Sequence, residues 1–162
     1  MNTQKDFWGD LQSTDNIILP YPYSSLKEQG ELLSKKTNGL LIGELIINNS
    51  PTSIVNSVLE ITQITQKSLT SPKTYPQPKF YYLFRIRVPS LNNYTYYVLE
   101  VQYPVNIYPV YIWDLTIEES YSQKCDNQEQ FDQIIESILG SNTVKQTIFV
   151  LLEQLKENRS KV

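Results

Sequence analysis

The segment from Phe80 to Ile117, FYYLFRIRVPSLNNYTYYVLEVQYPVNIYPVYIWDLTI, constrains the fold of this chain more than any other. At its start Phe80, Tyr82, Phe84, Ile86 and Val88 alternate with Tyr81, Leu83, Arg85 and Arg87. A side-chain period of two belongs to a strand with two unlike faces. Pro89-Ser90-Leu91-Asn92-Asn93 is turn chemistry. Tyr94 to Tyr103 then alternates again, with Tyr97, Leu99 and Val101 set against Tyr96, Val98 and Glu100. The two runs are predicted to form a hairpin. Tyr103-Pro104 through Tyr108-Pro109 interrupts the pairing, because proline has no N–H to give to a ladder. Val110 to Ile117 is predicted as one more strand, with Tyr111, Trp113, Leu115 and Ile117 on one face.

The flanking sequence supplies helices. Residues 1–23 read as an irregular arm that ends in the extended segment Pro20-Tyr21-Pro22-Tyr23. Ser24 or Ser25 would cap a helix running to about Lys36, with Leu26, Leu32 and Leu33 on its buried side. Gly30 weakens that helix, and Asn38-Gly39 stops it. Leu40 to Ile47, with Gly43, reads as a strand. Residues 56–66 read as another, by their Thr/Gln alternation, with a helix opened by Ser50-Pro51 and carrying Ile54, Val55, Val58 and Leu59 on one face as the alternative. Pro72, Pro76 and Pro78 make 68–79 a loop. Asp126 and Glu129 are spaced as a capping box for a helix that buries Phe131, Ile134, Ile135, Ile138 and Leu139 and ends at Gly140. Ser141 to about Glu157 is a second helix, with Val144, Ile148, Leu151, Leu152 and Leu155 aligned. Residues 158–162 are expected to fray.

No internal repeat and no linker divides the 162 residues, so a single domain is expected. Its class is α+β: a mainly antiparallel sheet of about five strands, an N-terminal helix and two C-terminal helices packed on one face. The layout over about 25–155 resembles that of ubiquitin-conjugating enzymes and RWD domains, with Tyr103-Pro104 and Pro109 in place of the Tyr-Pro segment and Cys125 downstream. The enzymes' His-Pro-Asn segment has no counterpart here, and the spacing between motifs is shorter. The resemblance therefore implies a non-catalytic binding module rather than a conjugating enzyme.

Composition excludes several function classes. The chain has no His and one Cys. Histidine acid–base chemistry, a Ser–His or Cys–His nucleophile, an intramolecular disulfide and a cysteine zinc site are all ruled out. A net charge of −3 and a pI of about 5.0 give no electrostatic basis for holding nucleic acid or an anionic membrane. Neither a membrane-length apolar run, nor a leader pattern in MNTQKDFWGDLQ, nor a glycine-rich phosphate loop is present. A cytoplasmic protein without a cofactor is expected.

Three sets of residues have chemistry to weigh. Glu44, Glu60, Glu100 and Asp114 fall in predicted strands and would hold a divalent ion if they converged. Glu100-Val101-Gln102 lacks the Lys that a nuclease Glu-x-Lys would have. Cys125 precedes a helix start and follows Lys124, an arrangement that can lower a thiol pKa, but an ordinary structural or exposed cysteine is the preferred reading. Of the twelve tyrosines, eight lie between Tyr81 and Tyr111. Tyr joins an apolar body to a polar tip, which serves sheet faces and protein interfaces alike. The expected function is a non-enzymatic interaction or accessory protein, such as an immunity-type or adaptor protein. It would dock another protein through a tyrosine-rich sheet face by Tyr82, Arg85, Arg87, Tyr96, Tyr97 and Tyr111. A homodimer is a second partner to consider. The alternatives are a carboxylate- or metal-dependent enzyme and a small-ligand-binding module.

Overall fold

The period-two segments form an antiparallel meander whose strands pair in chain order. The structure, a computed structural model, describes residues 21–48 and 79–159. It comprises α1 (Tyr21–Lys36), β1 (Ile42–Ile47), β2 (Lys79–Val88), β3 (Tyr94–Pro104), β4 (Val110–Asp114), β5 (Ser122–Cys125), α2 (Gln128–Leu139) and α3 (Asn142–Arg159). The sheet order is β1-β2-β3-β4-β5, every pair antiparallel. The expected α+β class, with one helix before the sheet and two after it, is what the chain adopts. Residues 1–20, the 56–66 strand and the proline loop up to Pro78 lie outside the described residues.

Several boundaries differ from the sequence reading, each for a physical reason. Helix α1 starts at Tyr21 and takes Pro22 and Tyr23 into its first turn. Proline is tolerated there because a first-turn N–H has no helical acceptor. Strand β4 stops at Asp114 rather than Ile117, where Asp114 Oδ1 accepts hydrogen bonds from the Thr116 N–H (2.9 Å) and hydroxyl (2.6 Å). The short strand Ser122–Cys125 was not expected, since four mixed residues carry no periodicity. Asn127, not Asp126, caps α2. Its side chain accepts from the Gln130 N–H at 3.0 Å, and Gln130 Oε1 accepts from the Asp126 N–H at 2.8 Å. The spacing fits both pairs; the cap sits one residue later than expected, and the Gln130 side chain reaches back to the residue before the cap.

The most consequential difference is a β-bulge. Phe84 pairs with Leu99, but Arg85 pairs with Tyr97, so Val98 is the extra residue of β3. Leu99, Val101 and Tyr103 therefore face one way with Phe84, Tyr82 and Phe80, while Tyr97 faces the other way with Arg85. Tyr97 does not share a face with Leu99 and Val101, as strict alternation would require.

The helices cover the face that carries Phe84, Ile86, Leu99, Val101, Tyr103, Ile112 and Cys125. Those side chains are buried together with Leu26, Leu41, Phe131, Ile135, Ile138, Val144, Leu151 and Leu155. Helix α1 lies against β1 through two glycines. A Cβ on Gly30 would stand 2.5 Å from the Gly43 carbonyl oxygen, and one on Gly43 would strike the Gly30 Cα. The helix-weakening Gly30 is thus required by the close approach of backbone to backbone. At the other end of α1 the buried Thr37 hydroxyl donates to the Leu33 carbonyl (2.9 Å) and accepts from the Leu41 N–H (3.2 Å). It joins the helix end to the entry of β1. Asn38 and Gly39 turn the chain with φ of 51° and 75°, in the left-handed region those residues tolerate.

Candidate functional site

Cross-strand register sorts the expected docking residues. On the face away from the helices the side chains form rows across the sheet: Ile42–Arg87–Thr95, then Glu44–Arg85–Tyr97, then Ile46–Leu83–Glu100–Trp113–Ser122, then Tyr81–Gln102–Tyr111–Lys124. Arg85, Arg87, Tyr97 and Tyr111 are on this face. Tyr82 and Tyr96 are on the other, half-buried against the core.

The first two rows form a charged cluster. Glu44 Oε2 accepts from Arg85 Nε at 3.0 Å and lies 2.9 Å from its Nη2. Glu44 Oε1 accepts from Arg87 Nε at 2.6 Å, and Arg87 Nη1 donates to Asn93 Oδ1 at 3.1 Å. Partial burial pushes the Glu44 carboxyl up. The hydrogen bonds from Arg87 and Arg85 outweigh it and hold the carboxyl below its ordinary range. One carboxylate thus fixes two guanidiniums and leaves one positive charge in excess. Both arginines keep about a quarter of their side-chain surface in solvent, 25% and 27%. Beside Arg85, Tyr97 is 46% exposed.

The lower rows differ. Glu100 and Gln102 are 1% and 6% exposed, so the face is not bare along its length. Glu100 therefore does not form the exposed rim that a uniformly open face would have. Tyr111, at the far end, packs beside Trp113 with ring centroids 6.5 Å apart. Near the β2–β3 turn, Tyr97 is exposed and Arg85, Arg87 and Thr95 are half-buried beside it.

The helix-side tyrosines form two clusters. Tyr82 and Tyr103 stack at 5.7 Å and 17°, with Tyr23 of α1 edge-on to Tyr82 at 5.2 Å. Burial first, then the Tyr82 and Tyr23 phenols, raise the Tyr103 pKa. Among the described residues its buried hydroxyl has no partner at hydrogen-bond geometry, although the Tyr82 phenol lies close enough to act on it. In the second cluster Tyr21 sits edge-on to Phe131 and donates to Asp132 Oδ1 at 2.7 Å. That bond, then burial, raises the Tyr21 pKa. These phenols tie α1 to the sheet and to α2.

Among the described residues the carboxylates do not converge on a metal site. Glu44 is engaged by two arginines, Asp114 faces the helix side beside Leu99, and Glu60 lies outside the described residues. Among the described residues no three His, Cys, Asp or Glu side chains are placed to hold a metal ion. Cys125 is fully buried, and burial, then the Asp126 charge, push its thiol up to about 11. Lys124 turns instead to Asp126, at 2.6 Å. The low-pKa alternative is overturned and the ordinary structural reading of Cys125 holds: a strand, not a helix start, carries it inside the core.

Two features escaped sequence reasoning. One is the pairing of Glu44 with both arginines, whose sequence trace is only a Glu two residues past Ile42 on a strand of unknown register. The other is a shallow cavity of about 280 Å³ between the end of α1 and α3, lined by Lys36, Leu40, Phe149, Leu152, Leu155 and Lys156 among others. No helix among the described residues is long and apolar enough to cross a membrane. No protein-family model, curated protein or solved structure matches the chain, so the resemblance to RWD domains is one of element order alone.

Proposed function

We propose that this chain is a non-enzymatic interaction or accessory protein, of the adaptor or immunity type, that docks another protein through the sheet face away from its helices. The observation that carries this reading is the Arg85–Glu44–Arg87 cluster beside the half-exposed Tyr97. Arg and Tyr are the residues in which interface energy concentrates. Two guanidiniums already oriented by Glu44 lose less freedom on binding than two free side chains would. The excess positive charge selects an acidic partner surface and steers its approach. Tyr111 contributes at the margin of this face, and Tyr82 and Tyr96 support it from behind through the core.

A photo-crosslinking residue at position 97, introduced in the native cell, tests this. The expected result is one discrete adduct, of a mass other than twice that of the chain. It should be absent when the crosslinker stands at Glu119 and lost when Arg85 and Arg87 are both replaced by Ala in a chain whose melting temperature shows that it is still folded. Equal labelling from positions 97 and 119 would sink the reading.

A further inference from the structure

Helix α3 contains the run Ile148-Phe149-Val150-Leu151-Leu152. At about 100° per residue, five consecutive positions encircle a helix, so one core cannot take them all. The core takes Leu151 together with Val144 and Leu155, and Ile148 and Leu152 pack at its edge. Phe149 and Val150 are left 64% and 54% exposed. The cavity between α1 and α3 opens beside them, with Leu40, Leu152 and Leu155 in its wall. A large ring standing in water next to an apolar hollow is an unfilled contact.

The charges around Phe149 say what fills it. Lys145 lies four residues before Phe149 and Glu153 four residues after, so all three share one helix face. Glu153 is bonded within its own helix to Lys156 at 2.6 Å, an exposed pair of little worth. Lys145 has no ion-pair partner among the described residues. A two-fold axis through Phe149 would run a second α3 antiparallel to the first and set each position as far before Phe149 opposite one as far after it. Lys145 of each copy then faces Glu153 of the other, twice over.

We propose that the chain forms a homodimer through antiparallel α3–α3 pairing about Phe149, each Phe149 ring resting against the Leu40 and Leu152 side of the other copy's cavity. The surface is distinct from the sheet face that carries Arg85 and Arg87, so the dimer leaves that face free. One helix pair is a small interface, and its dissociation constant is expected on the order of 10 µM.

Sedimentation velocity of the full chain from about 1 to about 200 µM tests this. The expected result is a monomer–dimer equilibrium across that range, abolished by Phe149→Glu. Lys145→Glu and Glu153→Lys should each weaken association about tenfold or more, and the double swap should restore it. Loss of the Glu153–Lys156 bond explains a weak Glu153→Lys dimer but not its recovery in the double swap. A monomer at the highest concentration overturns the proposal. So does a dimer indifferent to Phe149→Glu, or a double swap as weak as the sum of its parts.

Discussion

Tyr97 and Tyr103 lie on one strand, an even number of residues apart, and face opposite ways. In unbroken alternation they would share a face; the bulge at Val98 separates them. Tyr103 is 1% exposed, stacked on Tyr82 under α1. Tyr97 is 46% exposed, beside Arg85 and its partner Glu44. The same side chain is thus core on one side of the sheet and surface on the other. What distinguishes them is the environment each face supplies: aromatic rings and glycine contacts on the helix side, a shared carboxylate and two guanidiniums on the other. A count of tyrosines therefore says less about a docking surface than the position of one extra residue.

The helix side should break hardest. Gly43→Val adds a branched side chain where even a Cβ would strike the Gly30 backbone, so α1 must lift from β1. Overpacking of this kind costs about 3 kcal/mol, against which the better strand propensity of valine is small. A fall in melting temperature of about 10 °C is expected. A Gly43→Val chain that melts with the parent would show that the glycine contact does not hold the helix layer.

The opposite face should respond less, and with a pH signature. Glu44→Gln leaves Arg85 and Arg87 without their shared anion and is expected to cost about 1–2 kcal/mol at pH 7. The folded-state pKa of Glu44 is lowered, so its contribution is complete above the unfolded carboxyl value of 4.5 and is lost as pH falls through the folded one. Urea unfolding of both chains at pH 7 and in acid should give curves that converge as the pH drops. A gap that stays constant into acid would mean that the ion pairs do not stabilise the fold.

The fold was legible wherever periodicity was long. Phe80 to Val88, Tyr94 to Tyr103 and the aligned Phe131, Ile135 and Ile138 carry their period in the residues themselves, and each formed the element expected. Gly30 and Gly43 were legible only as local weaknesses, because their purpose is a contact across elements that spacing along the chain does not encode. Ser122–Cys125 has no pattern and is a strand only because β4 offers it an edge. The site was half legible. Arg85 and Arg87 fell on one face with Tyr97 and Tyr111, as a docking surface needs. Tyr82 was separated from the arginines already by its own alternation, and Tyr96 by the bulge, which no propensity announces. The exposure of Phe149 had a sequence signal, five apolar residues in a row on a helix, but one that a search for a buried stripe passes over.

The smallest effect bears most directly on the two tyrosines. Among the described residues the buried Tyr103 hydroxyl has no partner at hydrogen-bond geometry, and an unsatisfied buried polar group costs stability. Tyr103→Phe keeps the ring stacked on Tyr82 and removes that cost, so it is expected to stabilise the fold by about 1 kcal/mol. Tyr97→Phe alters a hydroxyl in contact with water and should move stability by less than about 0.5 kcal/mol. Paired urea denaturations at pH 7 resolve the two. If Tyr103→Phe destabilises the chain, the phenol is working as a hydrogen-bonding group within the Tyr23–Tyr82–Tyr103 cluster. The helix side would then be a polar network rather than the dry core that sets it apart from the face of Tyr97.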